Sequence, residues 1–148
     1  MVHVLAPKPV EMRLPVFFNV DSSVGRNAAN TSAEDIMLVQ FFLSLVGKKP
    51  EAGSLDLSPL AKIPVTGRIN PETMSSIELF QRAAGASVDG RVSVAKSYRH
   101  GATAFTIVNL NFNVKRRFFQ QWPNIEEMPG CPGILNLACR RALVGDLQ

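Results

Sequence analysis

Cysteine and histidine are scarce in this chain of 148 residues, and their scarcity excludes several kinds of site. Two cysteines, Cys131 and Cys139, are too few for a secreted scaffold built on disulfides. The sequence has no Cys-x-x-Cys motif, and both histidines, His3 and His100, lie far from the cysteines along the chain. A zinc site therefore has little support. We expect buried free thiols and no bound metal, although a folded-back loop could still bring the two sulfurs together.

The shortage of histidine also argues against catalysis. A Ser-His-Asp triad needs a positioned histidine, and neither histidine stands beside a recognisable nucleophile motif. A metallo-hydrolase would need several His or Asp ligands. A glycosidase needs two carboxyl groups that frame a cleft, whereas Glu126 and Glu127 lie in a turn bounded by prolines. We predict that the protein is not an enzyme, with no catalytic residues and no cofactor.

Long apolar runs are absent. No stretch approaches the roughly 18 residues of a membrane-spanning helix. The first residues also lack the basic segment followed by an apolar segment that is typical of a signal peptide. We therefore expect a protein that is made and initially kept in the cytoplasm and does not insert into a membrane.

The charge balance is mildly basic, with a net charge of +4 and a pI of about 9.4. Such an excess favours loose attraction to anionic polymers, but it is too small to choose among nucleic acid, wall polymers and lipid headgroups. Residues 115–122 mix cations with aromatic side chains, as single-strand nucleic-acid binders do. No nucleic-acid-binding fold signature accompanies them. We favour a helix end whose aromatic residues enter the core, and we predict no nucleic-acid partner.

The first 30 residues are predicted to form an extended leader. Three prolines disfavour a helix there, and the β-prone residues 16–20 could form one short strand. A helix then begins at Thr31 or Ser32, each followed three residues later by an acidic side chain, and ends at Gly47. Apolar residues cover most of this helix, so it should be buried on more than one side, with residues 104–148 as its best cover.

The most informative segment follows a proline-rich connection that could hold a short helical turn at residues 57–61. Asn70 is a suitable N-cap, Pro71 suits the first helical position, and Gly85 can end the helix. Residues 65–69 and 88–92 flank this helix, and both read Val-x-Gly-Arg followed by an apolar residue. Gly67 and Gly90 permit the positive φ angles of tight turns. Two similar turns around one helix indicate internal pseudo-symmetry.

The rest of the chain is less regular. Residues 93–103 are predicted to be a loop. Residues 104–119 fit an alternating strand and a helix equally well, so periodicity alone does not decide between them. Residues 120–148 form a C-terminal extension in which Pro132 can start a last helix.

These elements, in this order, resemble the peptidoglycan-binding-like family of non-catalytic wall-recognition modules, with the match covering residues 31–92. The chain departs from the family pattern at Thr66, where aspartate is usual, and at Asn70 and Ser93, where glycine is usual. The resemblance implies a mainly α fold, a three-helix bundle over residues 31–119 with an inserted loop at 93–103, and it favours a helix within 104–119. Its structural motif comprises Gln40, Gly67, Asn70, Pro71, Thr73, Phe80, Gly85 and Gly90.

The resemblance also places a ligand groove near the two turns. Arg68 and Arg91 follow the two glycines at matching positions and could face a wall-peptide carboxylate as paired donors. Gln81 and Asp89 could contact a ligand, but turn construction alone explains these residue types and is favoured. Tyr98, in the inserted loop, could stack on a sugar.

Two functions remain open at this point. The first is a peptidoglycan-binding module that belongs to a phage tail or to a contractile-injection or secretion assembly. The second is a structural or adaptor protein that reuses the fold to contact other protein subunits. Without a signal peptide, a wall-binding protein would reach the wall inside a virion or through a dedicated secretion machine.

Overall fold

The computed structural model describes residues 1–5, 17–51, 55–96 and 105–147. Within these ranges the chain is mainly α-helical, and its strands form only two small antiparallel pairs. The helices are α1 (Ala33–Lys48), α2 (Pro71–Ala84), α3 (Thr106–Arg117) and α4 (Gly133–Leu147), with 3-10 helices at Ser58–Lys62 and Ile125–Glu127. The paired strands are β1 (His3–Leu5) with β2 (Phe17–Asn19), and β3 (Val24–Gly25) with β4 (Arg91–Val92).

Helix α1 is the centre of the molecule. Its amino end is capped by Ser32, whose Oγ accepts a hydrogen bond from the Asp35 amide at 3.3 Å. Twelve of its sixteen residues are buried, and it contacts α2, α3, α4 and the first 3-10 helix. The prediction that this helix is buried on several sides, in part by residues 104–148, is therefore confirmed. Burial on every side explains why apolar side chains cover most of its circumference.

The predicted end of α1 at Gly47 is wrong. The helix continues through Lys48, and Gly47 is buried in its last turn. A Cβ atom at this position would lie 2.2 Å from the backbone N of Ala61, in the first 3-10 helix. Glycine stands here because two backbones approach closely, not because the chain needs a left-handed turn.

The predicted leader contains two paired strands, and several of its described residues are buried. β1 and β2 pair with each other, and Val2, Phe18 and Val20 lie in the same hydrophobic core as the helices. Asn111, on α3, donates its Nδ2 to the Phe18 carbonyl at 2.9 Å and accepts the Phe18 amide at 2.7 Å. These bonds satisfy both backbone groups of a residue with no exposed surface. The two strands near the amino end are thus packed into the core of the fold.

The ambiguous segment 104–119 contains α3, so the helical alternative is confirmed. Just after α3, Phe118 is buried, and the Trp122 ring packs edge-on against Phe18 with centroids 5.6 Å apart. The interpretation of a helix end whose aromatic residues enter the core is correct for these two. It is wrong for Phe119, whose side chain is 68% exposed. Among the described residues, no helix is both long enough and apolar enough to span a bilayer.

Candidate ligand-binding groove

The first glycine turn, residues 65–69, is held by Gln40 of α1. The Gln40 Oε1 atom accepts the backbone amides of Thr66 and Gly67, both at 2.9 Å. Its Nε2 atom donates to the Arg68 carbonyl at 2.9 Å and to the hydroxyls of Thr73 and Thr66 at 3.1 and 3.4 Å. Gln40 is fully buried, so one side-chain amide satisfies backbone groups that would otherwise lack partners.

The second turn, residues 88–92, is held in the same way by Gln81 of α2. The Gln81 Oε1 atom accepts the amides of Asp89 and Gly90, both at 3.0 Å. Its Nε2 atom donates to the Arg91 carbonyl at 2.9 Å, to Asp89 Oδ1 at 2.8 Å and to the Thr106 hydroxyl at 3.1 Å. Thr106 is the first residue of α3. Each glutamine therefore joins the helix that carries it to the turn that precedes the next helix.

The two turns match in their internal bonds as well. Gly67 and Gly90 have φ angles of +76° and +69°. Thr66 Oγ1 accepts the Arg68 amide at 3.2 Å, and Asp89 Oδ1 accepts the Arg91 amide at 3.0 Å. The threonine hydroxyl of the first turn thus performs the hydrogen-bonding role that the aspartate carboxylate has in the second.

The remaining motif residues occupy the positions that the sequence predicts. Asn70 caps α2, with its Oδ1 accepting the Thr73 amide at 2.8 Å, and Pro71 is the first helical residue. Gly85 ends the helix with a φ of +71°. Phe80 is 1% exposed and belongs to the core. Local backbone chemistry and burial account for these residue types, and their positions fix α2 between the two turns.

A groove of about 290 Å³ opens beside the first turn. Its apolar walls come from Ala28, Ile36 and Ile69, and Arg68 lines its polar side. The Arg68 side chain is exposed, and within the described part of the chain its guanidinium has no hydrogen-bond or ion-pair partner. The groove therefore combines an apolar surface with one uncommitted cation. An anionic group carried on an apolar or sugar framework fits this chemistry.

The other predicted ligand residues lie elsewhere. Both the oxygen and the nitrogen of the Gln81 side-chain amide are hydrogen-bonded inside the protein, and the residue is 1% exposed. Asp89 uses its Oδ1 within its own turn. We therefore leave Gln81 and Asp89 out of the candidate ligand-binding site. Arg91 belongs to β4 and does not line the groove. Tyr98 falls outside the residues that the structure describes.

Sequence reasoning missed the segment that joins the two turns, which contains Gly25 and Arg26. The Arg26 amide donates to the Gly90 carbonyl at 2.9 Å, and its guanidinium pairs with Glu78 of α2. A Cβ on Gly25 would lie 2.3 Å from that same carbonyl, so glycine permits the close approach. Ala28, Asn30 and Thr31 then line the groove at the first turn. A third Gly-Arg pair, repeating those at 67–68 and 90–91, was the signal for this segment.

The structure gives the two thiols no reactive surroundings. Burial, reinforced by the negative charge of Glu126, raises the pKa of Cys131 to about 11. Burial also raises the pKa of Cys139, which is 1% exposed. The thiolate is the reactive form, so neither residue has the properties of a nucleophile near neutral pH. In the described ranges no group of three or more His, Cys, Asp or Glu side chains is arranged to hold a metal ion.

We expect iodoacetamide at pH 8 to alkylate Cys131 about 100-fold more slowly than an ordinary thiol, because the thiolate fraction falls tenfold for each unit by which the pKa rises. The rate should increase about tenfold per pH unit up to pH 10. Mass spectrometry of the Cys139→Ser variant measures this rate, and the same variant in urea serves as the reactive control. Alkylation of the folded variant at the control rate would show that the thiol is accessible and ionised.

Comparison of the chain with models of protein families, with curated proteins and with solved structures finds no match.

Proposed function

We propose that the chain is a non-catalytic peptidoglycan-binding module, a component of a phage tail or of a contractile-injection or secretion assembly. In this proposal α1, α2 and α3 correspond to the three-helix bundle of the peptidoglycan-binding-like family. The observation that carries it is the repeated clamp, in which Gln40 and Gln81 each hold a glycine turn against the start of the following helix. That arrangement supports the resemblance at the level of hydrogen bonds, beyond the sequence pattern.

The groove beside the first turn is the proposed wall-binding site. Peptidoglycan presents free carboxylates on short peptides next to methyl groups and sugar rings. Arg68 would bind a carboxylate, and the apolar walls at Ile36 and Ile69 would contact methyl groups or a sugar face. Arg91 does not line the groove, so Arg68 is the one arginine of the proposed site.

Co-sedimentation with purified sacculi tests the proposal. We expect the wild-type protein to pellet with sacculi and Arg68→Gln to bind about tenfold more weakly, since a hydrogen bond to a charged group contributes about 1.5–3 kcal/mol. The matched control is Arg82→Gln, which neutralises an exposed arginine of α2 outside the groove. Thermal unfolding verifies that both variants fold. Equal pelleting of all three proteins would contradict a role for Arg68.

A structural or adaptor role is the second candidate, and one observation favours it. Ile134 and Leu137 of α4 lie three residues apart on one helical face, and they are 58% and 68% exposed. Exposed apolar side chains grouped on one face are typical of a contact with another protein subunit. Failure of the wild-type protein to pellet with sacculi, at any concentration up to 0.1 mM or so, would leave this second role as the better account.

A further inference from the structure

A second groove, of about 330 Å³, lies at the carboxyl end of α3, and it shares no lining residue with the groove at Arg68. It is lined by Phe112, Lys115, Arg116 and Phe119. Lys115 and Phe119 follow Phe112 by three and seven residues, a spacing that continues one helical face beyond the end of α3. The groove thus joins two aromatic side chains to two cationic ones.

The two aromatic walls differ in exposure. The Phe112 ring packs against Phe17 of β2, with centroids 4.8 Å apart and an interplanar angle of 49°, so its position is fixed by the core. The Phe119 ring is 68% exposed and forms the outer wall. An apolar side chain that enters between them would cover surface that Phe119 now presents to water, which is favourable at about 25 cal/mol per Å² of apolar area removed from water.

The charges of this groove are partly balanced. Arg116 forms a two-pronged ion pair with Glu51, with its Nε and Nη2 atoms 3.0 and 2.7 Å from Glu51 Oε1. Hydrogen bonds from Arg116 lower the pKa of Glu51, so this carboxylate stays ionised at neutral pH. Arg117 pairs with the same carboxylate, its Nη1 atom 2.7 Å from Glu51 Oε1. Within the described part of the chain, the ammonium group of Lys115 has no hydrogen-bond or ion-pair partner. The adjacent cations Lys115, Arg116 and Arg117 and the carboxylate of Glu51 therefore carry a net charge of two positive units.

We propose that this groove docks an acidic segment of a partner protein, with an apolar side chain between Phe112 and Phe119 and an adjacent carboxylate bound by Lys115. The shape favours a protruding side chain over a flat membrane surface, because the groove is concave. Among the described residues Lys115 is the one cation lining the groove that has no ion-pair partner, which favours one carboxylate over a polyanion such as nucleic acid, whose binding depends on many cations. This surface goes beyond the proposed wall-binding site and does not require it.

The probe is the peptide acetyl-Glu-Asp-Phe-Asp-Glu-amide. Its binding to the full chain, labelled with ¹⁵N, is measured from changes in the amide chemical shifts of the protein. We expect saturable binding whose largest shifts fall on residues 112–119, and binding at least tenfold weaker when the central phenylalanine is serine or when the acids are lysines. Phe119→Ser and Lys115→Glu should each weaken binding about tenfold or more, the size expected for the loss of one apolar or charged contact. Leu55→Ser, which removes an exposed apolar side chain that does not line the groove, should bind as the wild type.

Three results would overturn the proposal: no shifts with 5 mM peptide, equal binding by the Phe119→Ser variant, or a preference for dT10 or for vesicles with 30% phosphatidylserine. The tests of the two proposed sites are independent of each other. The Arg68→Gln variant should retain peptide binding, and the Phe119→Ser variant should retain sacculus pelleting. If the protein binds the peptide but not sacculi, the result supports docking in this groove and contradicts the wall-binding proposal.

Discussion

Replacement of Gly47 by alanine is expected to lower the free energy of unfolding by about 3 kcal/mol, the upper part of the range for overpacked cores. The added Cβ would lie 2.2 Å from the Ala61 N atom and 2.7 Å from the Leu60 carbonyl carbon. Both are backbone atoms, so no side-chain rotation relieves the clash. The first 3-10 helix would have to move away from α1, and its buried Leu60 would move with it.

The direction of this effect separates two accounts of Gly47. Helix propensity alone predicts that alanine in a helix interior stabilises the protein by about 1 kcal/mol. Gly133→Ala is the matched control, because Gly133 also lies in a helix and a Cβ there would meet nothing within 4 Å. We expect that variant to be neutral or slightly more stable. Urea unfolding followed by circular dichroism measures both, and a Gly47→Ala protein as stable as the wild type would refute the close approach.

The Gln81→Ala variant is expected to lose about 2–4 kcal/mol of stability, because a buried donor left without a partner costs about 1–3 kcal/mol. The truncation removes five hydrogen bonds. It leaves the amides of Asp89 and Gly90 facing a cavity, and Gly90 is buried. It also removes the bond that joins α2 to Thr106 at the start of α3. Gln40→Ala should cost a similar amount, since Gln40 makes the equivalent five bonds.

Hydrogen exchange tests this prediction at the individual amides of each turn. In Gln81→Ala the Gly90 amide should exchange faster relative to global unfolding while the Gly67 amide keeps its protection, and Gln40→Ala should reverse the pattern. Gln120→Ala is the control for the loss of a glutamine, because Gln120 is exposed in the turn after α3 and substitutions of this kind usually change stability by less than about 0.5 kcal/mol. Unchanged exchange at both glycines in both variants would mean that the clamps do not hold the turns.

Much of the second helix could be predicted from the sequence. Its N-cap at Asn70, its first residue at Pro71 and its end at Gly85 are set by neighbouring residues, and the structure has all three. The turn glycines at 67 and 90 belong to the same class, since a positive φ is a local requirement. The repeat of Val-x-Gly-Arg also pointed to the matching turns. The favoured role of Gln81 in turn construction is confirmed, whereas the equivalent role of Gln40 was not predicted.

The candidate sites were less predictable because their parts come from distant positions. The groove at Arg68 is completed by Ala28, Asn30 and Thr31, in a loop that no sequence pattern connects to the turns. The exposure of Phe119, between the buried Phe118 and the packed Trp122, depends on the direction in which the chain leaves α3. No periodic pattern specifies that direction.

By itself, the sequence determined the mainly helical class, the caps and the glycine turns, because each depends on side chains and backbone angles within a few residues. Only the tertiary structure decided that Gly47 is a point of contact with Ala61 and that β1 and β2 belong to the core. The same holds for Gln40, which reaches a turn 26 residues away. These features depend on which segments meet in space, and packing of the whole chain sets that choice.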